Sequence, residues 1–122
     1  MLNKPKRKSQ SVRVRELDNL YKKFFWNKFD FDSCYTCDDK TVPLFWGHFV
    51  PRGSKLVRWD INNSRPQCFE CNNELRGNIE EFRIRLIKEV GPEEVERIEN
   101  LKGKPIYKGF INNEEERIKG LK

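Results

Sequence analysis

The sequence predicts a small α+β fold, and three observations lead to this prediction. Two Cys-x-x-C pairs, Cys34/Cys37 and Cys68/Cys71, are separated by 30 residues. Aromatic and β-branched residues between the pairs are typical of strands, whereas the flanking segments repeat apolar residues at helical spacing. With 36% charged residues and a mean hydropathy of −0.88, this chain of 122 residues can build only a modest core. Such a domain is expected to need a staple.

The four cysteines are expected to supply the staple by binding one Zn²⁺. Each Cys-x-x-C knuckle offers two thiolates from one tight turn, and two knuckles complete a tetrahedral site. The N-terminal stretch MLNKPKRKSQ has no apolar run like that of a signal peptide, and nothing resembles a membrane helix. We therefore expect a cytoplasmic chain without membrane contact. In that reducing compartment, close cysteine pairs hold metal more often than they form disulfides, which are the alternative.

The net charge of +6 is concentrated at the N-terminus, because residues 1–33 carry nine basic and four acidic residues. Lys6, Arg7 and Lys8 belong to this basic run and are expected to contact DNA phosphates. A solvated, disordered tail is the alternative. We expect residues 1–15 to form a flexible tail, and residues 16–122 to form a single domain with its core at 34–90.

The apolar periodicity and the turn residues predict the order of the elements. Before the second knuckle, the expected order is a helix at about 14–28, a strand ending at Gly47-His48, a turn at 51–53, a return strand at 55–60 and a loop at 62–66. A helix is expected to start near the second knuckle, followed by a helix capped by Asn78 and ended by Gly91 and by a helix opened by Pro92. A short strand at 106–111 and a last helix from about Asn113 complete the expected order. His48, the only histidine, should therefore lie on the first strand of a hairpin.

This order of knuckle, histidine, hairpin, asparagine, knuckle, asparagine and helix resembles the His-Asn-His (ββα-metal) nucleases, which are built on a treble-clef zinc fold. The resemblance implies that His48 is a general base that activates water. It implies that Asn63, five residues before the second knuckle, braces the hairpin and orients His48. It also implies that Asn72, directly after Cys71, binds a catalytic Mg²⁺ or Mn²⁺. In having an asparagine at the position of Asn72, the chain resembles the Holliday-junction resolvase endonuclease VII.

A narrower resemblance covers roughly residues 17–119. The motifs CYTC, GHFVPRG, LVRWD and QCFECNNELRGN resemble the phage NinG/Rap recombination proteins. This resemblance implies a metal-dependent endonuclease that cuts branched DNA, such as Holliday junctions, in phage recombination. It also implies branched DNA as a partner, with a homodimer and a recombination protein as further partners. The rival hypothesis is a non-catalytic zinc module that binds DNA or a recombinase.

One departure from the nuclease pattern concerns the catalytic ion. Many ββα-metal nucleases have an aspartate ligand just before the histidine, and here that residue is Gly47. Asp60 and Glu70 are the candidate carboxylates in its place. The base, His48, is expected to titrate near its ordinary pKa. Arginines around the site are expected to clamp phosphates. These are Arg52, Arg58, Arg65 and Arg76.

Overall fold

The computed structural model describes residues 8–121. Over this range the chain forms four α-helices, one two-stranded antiparallel sheet, a 3-10 turn and a π-helical turn. In chain order the elements are α1 (Gln10–Lys28), β1 (Leu44–His48), the 3-10 turn (Lys55–Val57), β2 (Ser64–Cys68), the π turn (Glu70–Glu74), α2 (Ile79–Val90), α3 (Pro92–Leu101) and α4 (Phe110–Lys119). The predicted α+β class is confirmed, while the treble clef stays a prediction.

Helix α1 begins earlier than the apolar pattern predicts. Ser9 caps it, because Ser9 Oγ accepts a hydrogen bond from the backbone N–H of Val12 at 3.3 Å. Residues 10–15, which the sequence places in a flexible tail, therefore belong to this helix. The apolar pattern gives no helical signal over these residues, because only one of them, Val14, is buried in the core.

The residues around His48 belong to two different hydrophobic clusters. The first cluster joins α1, α4 and β1 through Val14, Leu17, Tyr21, Phe25, Phe29, Trp46, Trp59, Phe110, Ile111 and Ile118. The second joins α2, α3 and the segment after β1 through Phe49, Val50, Val57, Phe82, Leu86, Val95 and Ile98. Trp46 precedes His48 in the first cluster, and Phe49 follows it in the second. The close packing of both neighbours fixes the backbone at the end of β1.

The second strand of the hairpin does not lie where the sequence predicts it. Residues 55–60 form the 3-10 turn and further turns, so the predicted return strand is wrong. Strand β2 instead occupies Ser64–Cys68, which overlaps the predicted loop at 62–66 and reaches the first cysteine of the second knuckle. The register pairs His48 with Ser64. His48 is the last residue of β1, so its predicted place on the first strand is confirmed.

Two features explain this exchange of strand and loop. Val57 and Trp59 are both fully buried, but in different clusters, so their alternation with polar residues reflects turns that serve two cores. Pro66 is tolerated in β2 because a two-stranded sheet has only edge strands. Its carbonyl accepts a hydrogen bond from the Tyr35 backbone N–H at 2.9 Å, which ties the first knuckle to β2.

Helices α2 and α3 agree with the prediction. Helix α2 ends before Gly91, whose φ of +93° favours glycine, and Pro92 opens α3. Asn78 precedes α2 as predicted. Its side-chain amide, however, points to the Cys71 Sγ atom at 3.7 Å instead of capping the helix.

The C-terminal segment differs from the prediction. The expected strand at 106–111 is wrong, because helix α4 already begins at Phe110, three residues before Asn113. Phe110 and Ile118 lie on one face of α4 and both join the first cluster. Helix α4 therefore buries apolar residues on one face, whereas a short strand at 106–111 would have no neighbouring strand to pair with.

Candidate functional site

The four cysteines converge at the end of β2. The Sγ atoms of Cys34, Cys37, Cys68 and Cys71 all lie within 4.8 Å of one another. The Sγ atoms of Cys37 and Cys68 are 3.7 Å apart. Four thiolates at the usual Zn–S distance of about 2.3 Å stand about 3.8 Å from one another in a tetrahedron. The cluster therefore has dimensions that suit a metal ion such as zinc.

Hydrogen bonds favour the thiolate of Cys34 in this cluster, whereas burial and the neighbouring thiols raise the pKa values of Cys37 and Cys68. The Cys71 backbone N–H donates to Cys68 Sγ at 3.4 Å, and Asn78 Nδ2 lies 3.7 Å from Cys71 Sγ. Burial opposes ionisation of Cys34, but hydrogen bonds from the Cys68 backbone and from Thr36 outweigh it and lower the pKa of the thiol to about 6. The thiolate is the form that binds metal.

His48 and Asn72 line the same surface cleft. The cleft has a volume of about 610 Å³ and lies where α1, β1, the loop after β1 and the π turn meet. It is lined by Lys22, Phe45, Trp46, His48, Pro51, Arg52, Asn72, Asn73, Arg76 and Gly77. Every charged residue in this described lining is basic. The structure thus brings together His48, Asn72 and two of the four arginines that the sequence suggests as phosphate ligands.

The imidazole of His48 is held in one tautomer. Its Nε2 lies 3.0 Å from the backbone carbonyl oxygen of Arg58. A carbonyl oxygen only accepts, so Nε2 carries the hydrogen of the neutral ring and Nδ1 keeps the free lone pair. The Trp46 ring centroid lies 4.3 Å from that of His48 and covers part of the ring.

Burial shifts the acid-base behaviour of His48 far from the expected range. The side chain is 8% exposed. Burial, together with the nearby charges of Arg52 and Arg58, lowers the pKa of His48 to about 3, although the bond to the Arg58 carbonyl and the charge of Asp18 oppose the shift. The expectation that His48 titrates near its ordinary pKa is therefore wrong. The ring is neutral throughout the physiological pH range, with a free lone pair on Nδ1.

Asn63 braces the loop that follows β1. It is fully buried, and its Oδ1 accepts a hydrogen bond from the Val50 backbone N–H at 2.8 Å. Its Nδ2 donates to the carbonyls of Val50 at 3.0 Å and Val57 at 2.9 Å. The Phe49 backbone N–H also donates to the Asn63 carbonyl at 2.9 Å. Asn63 therefore fixes the chain directly after His48, while its role in orienting His48 stays a prediction of the resemblance.

The structure gives a physical reason for glycine at position 47. A Cβ atom at Gly47 would lie 2.1 Å from Oε1 of Gln67, which is fully buried. The Gln67 amide donates to Thr36 Oγ1 at 3.0 Å and to the Gly77 carbonyl at 2.8 Å, so it cannot move aside without breaking both bonds. Gln67 thus occupies the space that an aspartate side chain would need at this position.

The Arg58 side chain forms its ion pair in the interior and does not line the cleft. It forms a two-bonded ion pair with Asp18 of α1, with N···O distances of 2.9 and 2.6 Å. Trp59 Nε1 donates to the same carboxylate at 2.8 Å. Burial would raise the pKa of Asp18, but the bonds from Arg58 and Trp59 outweigh it and hold that pKa below its ordinary value. Arg58 therefore joins α1 to the 3-10 turn.

Arg65 is also an interior residue, with a side chain only 1% exposed. It pairs with Glu89 of α2 at 3.1 Å and donates to the Ile61 carbonyl at 2.7 Å. Its guanidinium lies 4.3 Å from the ring centroid of Phe29. The expectation that Arg58 and Arg65 bind phosphates is wrong for both, because their donors are already used inside the fold.

The remaining basic candidates fall into three groups. Arg52 and Arg76 are exposed and line the cleft. Lys8 is exposed and pairs with Glu16 at 2.9 Å. Lys6 and Arg7 lie outside the described residues.

Lys22 was missed by the sequence reasoning. It lines the cleft, with Nζ 5.5 Å from the Trp46 ring centroid. The helical pattern places Lys22 on the polar face of α1, but it carries no signal that this face borders His48.

The cleft does not fit a Mg²⁺ or Mn²⁺ site built from protein ligands. These ions are usually held by one or two carboxylates, and none is present among the cleft residues that the structure describes. Asp60 lies elsewhere and pairs with Arg97 at 2.8 Å. Glu70 lies on the exposed side of the π turn, outside the cleft lining. Of the three predicted ion ligands, Asn72, Asp60 and Glu70, Asn72 alone lines the cleft.

Residues 2–119 match the family model described as "Bacteriophage Lambda NinG protein". The chain belongs to the NinG family. "Protein ninG" of Escherichia phage 933W and that of Enterobacteria phage VT2-Sa are each 33% identical to it over 70 residues, which cover 55% of this chain and 34% of theirs. "Protein ninG" of Enterobacteria phage H19B is 34% identical over 55 residues, which cover 44% of this chain and 27% of its own. No solved structure matches the chain.

The NinG assignment confirms the narrower of the two resemblances drawn from the motifs. The matched residues include both cysteine pairs, His48, Asn63 and Asn72. This NinG-family chain spans about a third of the length of the curated relatives that it matches. Within residues 8–121, every helix is too short or too polar to cross a bilayer.

Proposed function

We propose that this NinG-family chain is an endonuclease that hydrolyses phosphodiester bonds in branched DNA during phage recombination. One observation carries the proposal: His48, in its neutral form, lines a cleft whose charged residues are all basic over the described range. A polyanionic substrate is attracted to such a cleft, and a neutral imidazole within it can accept a proton.

The chain's own residues suggest how the reaction would proceed. Nδ1 of His48 takes a proton from a water molecule as the water oxygen attacks phosphorus. The bond from phosphorus to the 3′ oxygen then breaks, leaving a 5′ phosphate and a 3′ hydroxyl after protonation from solvent. The Arg58 carbonyl, 3.0 Å from Nε2, stabilises the imidazolium that forms. A pKa of about 3 makes His48 a weak base, so this contact matters.

The cations of the cleft would neutralise the phosphate. Arg52 and Arg76 are exposed, and within residues 8–121 neither forms an ion pair that phosphate would have to displace. Both can donate two parallel hydrogen bonds to phosphate oxygens. Lys22 adds a third charge from α1. The Asn72 amide, which lines the same cleft, would complete the contacts.

The four-cysteine cluster is proposed to hold a structural Zn²⁺. The bound ion would fasten the first knuckle to the end of β2 and to Cys71 in the π turn. Asn72 follows Cys71 directly, so the cluster would set the position of Asn72 relative to His48. A catalytic Mg²⁺ or Mn²⁺, a homodimer and a recombination-protein partner remain predictions of the resemblance.

A non-catalytic zinc module that binds DNA or a recombinase is the second candidate. The absence of an acidic residue from the described cleft lining favours it, because phosphate binding needs only cations, whereas a catalytic metal ion is usually held by carboxylates.

The test is a cleavage assay on a four-way junction and a matched linear duplex, with zinc content verified and with Mg²⁺, Mn²⁺ or no added divalent ion. Cleavage of the junction, with 5′ phosphate ends, is expected for the wild type. Asn72→Ala should lower the rate, whereas Asn27→Ala, an exposed α1 variant outside the cleft, should not. Junction binding without cleavage under all three conditions would establish the second candidate instead.

A further inference from the structure

A pair of exposed phenylalanines lies at the edge of the cleft and has no part in the chemistry above. Phe45 is 43% exposed and lines the cleft, and Phe69 is 53% exposed within the second knuckle. Their ring centroids are 6.4 Å apart with an interplanar angle of 71°. An edge-to-face pair of this kind leaves ring faces that the two residues do not cover for each other.

Ten large apolar residues are exposed within residues 8–121, and Phe45 and Phe69 are the two of them whose aromatic rings also contact each other. The mean hydropathy is −0.88, and most of the large apolar residues pack into two clusters. The cleft around Phe45 instead carries the charges of Lys22, Arg52 and Arg76. Aromatic faces beside a basic groove are the two features that bind single-stranded nucleic acid, since bases stack on the rings and phosphates meet the cations.

We propose that Phe45 and Phe69 form a stacking platform for an unpaired base next to the scissile phosphate. In continuous duplex the bases are already stacked on their neighbours, and reaching them requires unstacking. At a fork or any branch that leaves bases unpaired, those bases are available without most of that cost. The platform therefore selects branched DNA over intact duplex. This inference rests on the proposed function, and it identifies an unpaired base as the feature of the substrate that the site recognises.

The position of Phe45 suits this role. It lies on β1, three residues before His48, which corresponds to about 10 Å along the strand. Residues three apart on a strand point to opposite faces, but Phe45 and His48 both line the cleft, so a nucleobase held at Phe45 shares this cleft with a phosphate held at His48. Because the two clusters on either side fix β1, the distance between Phe45 and His48 stays constant.

The test measures binding, so that it does not depend on cleavage. Equilibrium affinities are compared for a forked DNA and a fully paired duplex of the same length, with 2-aminopurine at the branch as a stacking probe. We expect the wild type to prefer the fork. Phe45→Ala should weaken fork binding by about 5- to 150-fold and leave duplex binding unchanged. Phe45→Trp should retain the preference, and Phe69→Ala should reduce it.

Tyr107→Ala is the matched control, because Tyr107 is 56% exposed and lines a different cavity. It should keep the wild-type preference. The proposal is overturned if the wild type does not prefer the fork, or if Phe45→Ala weakens fork and duplex binding equally. Unchanged binding of both DNAs by Phe45→Ala also overturns it, and would leave the pair as a surface for a protein partner. Cleavage without dependence on Phe45 would leave the nuclease standing, whereas a Phe45-dependent preference without cleavage would support the platform alone.

Discussion

Replacing Asn63 by alanine should destabilise the protein more than any single change in the cleft. The substitution removes three hydrogen bonds and leaves the Val50 N–H, the Val50 carbonyl and the Val57 carbonyl without their partner in a fully buried site. An unsatisfied buried polar group costs about 1–3 kcal/mol. The three together should therefore lower the free energy of unfolding by at least about 3 kcal/mol, a large part of the 5–15 kcal/mol of a typical domain.

Urea unfolding of the zinc-loaded protein measures this loss. Asn63→Asp is the decisive second variant, because it has the same shape but cannot donate to the two carbonyls, and it should be destabilised similarly. Asn27→Ala, on the exposed side of α1, should change stability by less than about 0.5 kcal/mol. A loss below about 1 kcal/mol for Asn63→Ala, with an unchanged denaturant slope, would refute the bracing role.

Three further predictions concern the strand, the cluster and pH. Gly47→Ala should lower the free energy of unfolding by about 1–3 kcal/mol, because its Cβ would lie 2.1 Å from Gln67. The control Gly53→Ala should be neutral, because a Cβ there meets nothing within 4 Å. Equal stabilities of the two variants would contradict this prediction. Cys68→Ser should abolish stoichiometric zinc in metal analysis and loosen the hairpin, and full zinc retention would argue against a four-sulfur site. Below pH 6.5 the unfolded chain protonates His48 while the folded chain, with its pKa of about 3, does not. The wild type should therefore lose stability relative to His48→Gln as pH falls from 6.5 towards 3, by up to about 1.4 kcal/mol per pH unit, and should run parallel to it at higher pH. Parallel curves throughout would show that His48 is not buried in neutral form.

Local signals in the sequence predicted the parts of the site that depend on local geometry. The Cys-x-x-C spacing gave the sulfur cluster, and the aromatic segment before His48 gave β1. Gly91-Pro92 marked the boundary between α2 and α3 because glycine tolerates its positive φ and proline opens a helix.

Non-local contacts explain what the sequence could not predict. Arg65 lies in a segment with the composition of a loop, but Glu89, 24 residues away, neutralises it and allows the segment to form a buried strand. Arg58 meets Asp18 across 40 residues in the same way. Both arginines look like phosphate ligands until their partners are known. The depressed pKa of His48 likewise arises from packing against two clusters, which its neighbours in sequence do not reveal.

The central claim is that His48 is the general base of a nuclease, and single-turnover cleavage of a branched DNA by wild type and His48→Ala tests it most directly. At equal zinc content and equal DNA affinity, the substitution should lower the cleavage rate by about 10²–10⁴-fold, the usual cost of losing a general base. A His48→Ala protein that cuts the same DNA at the wild-type rate would contradict the claim.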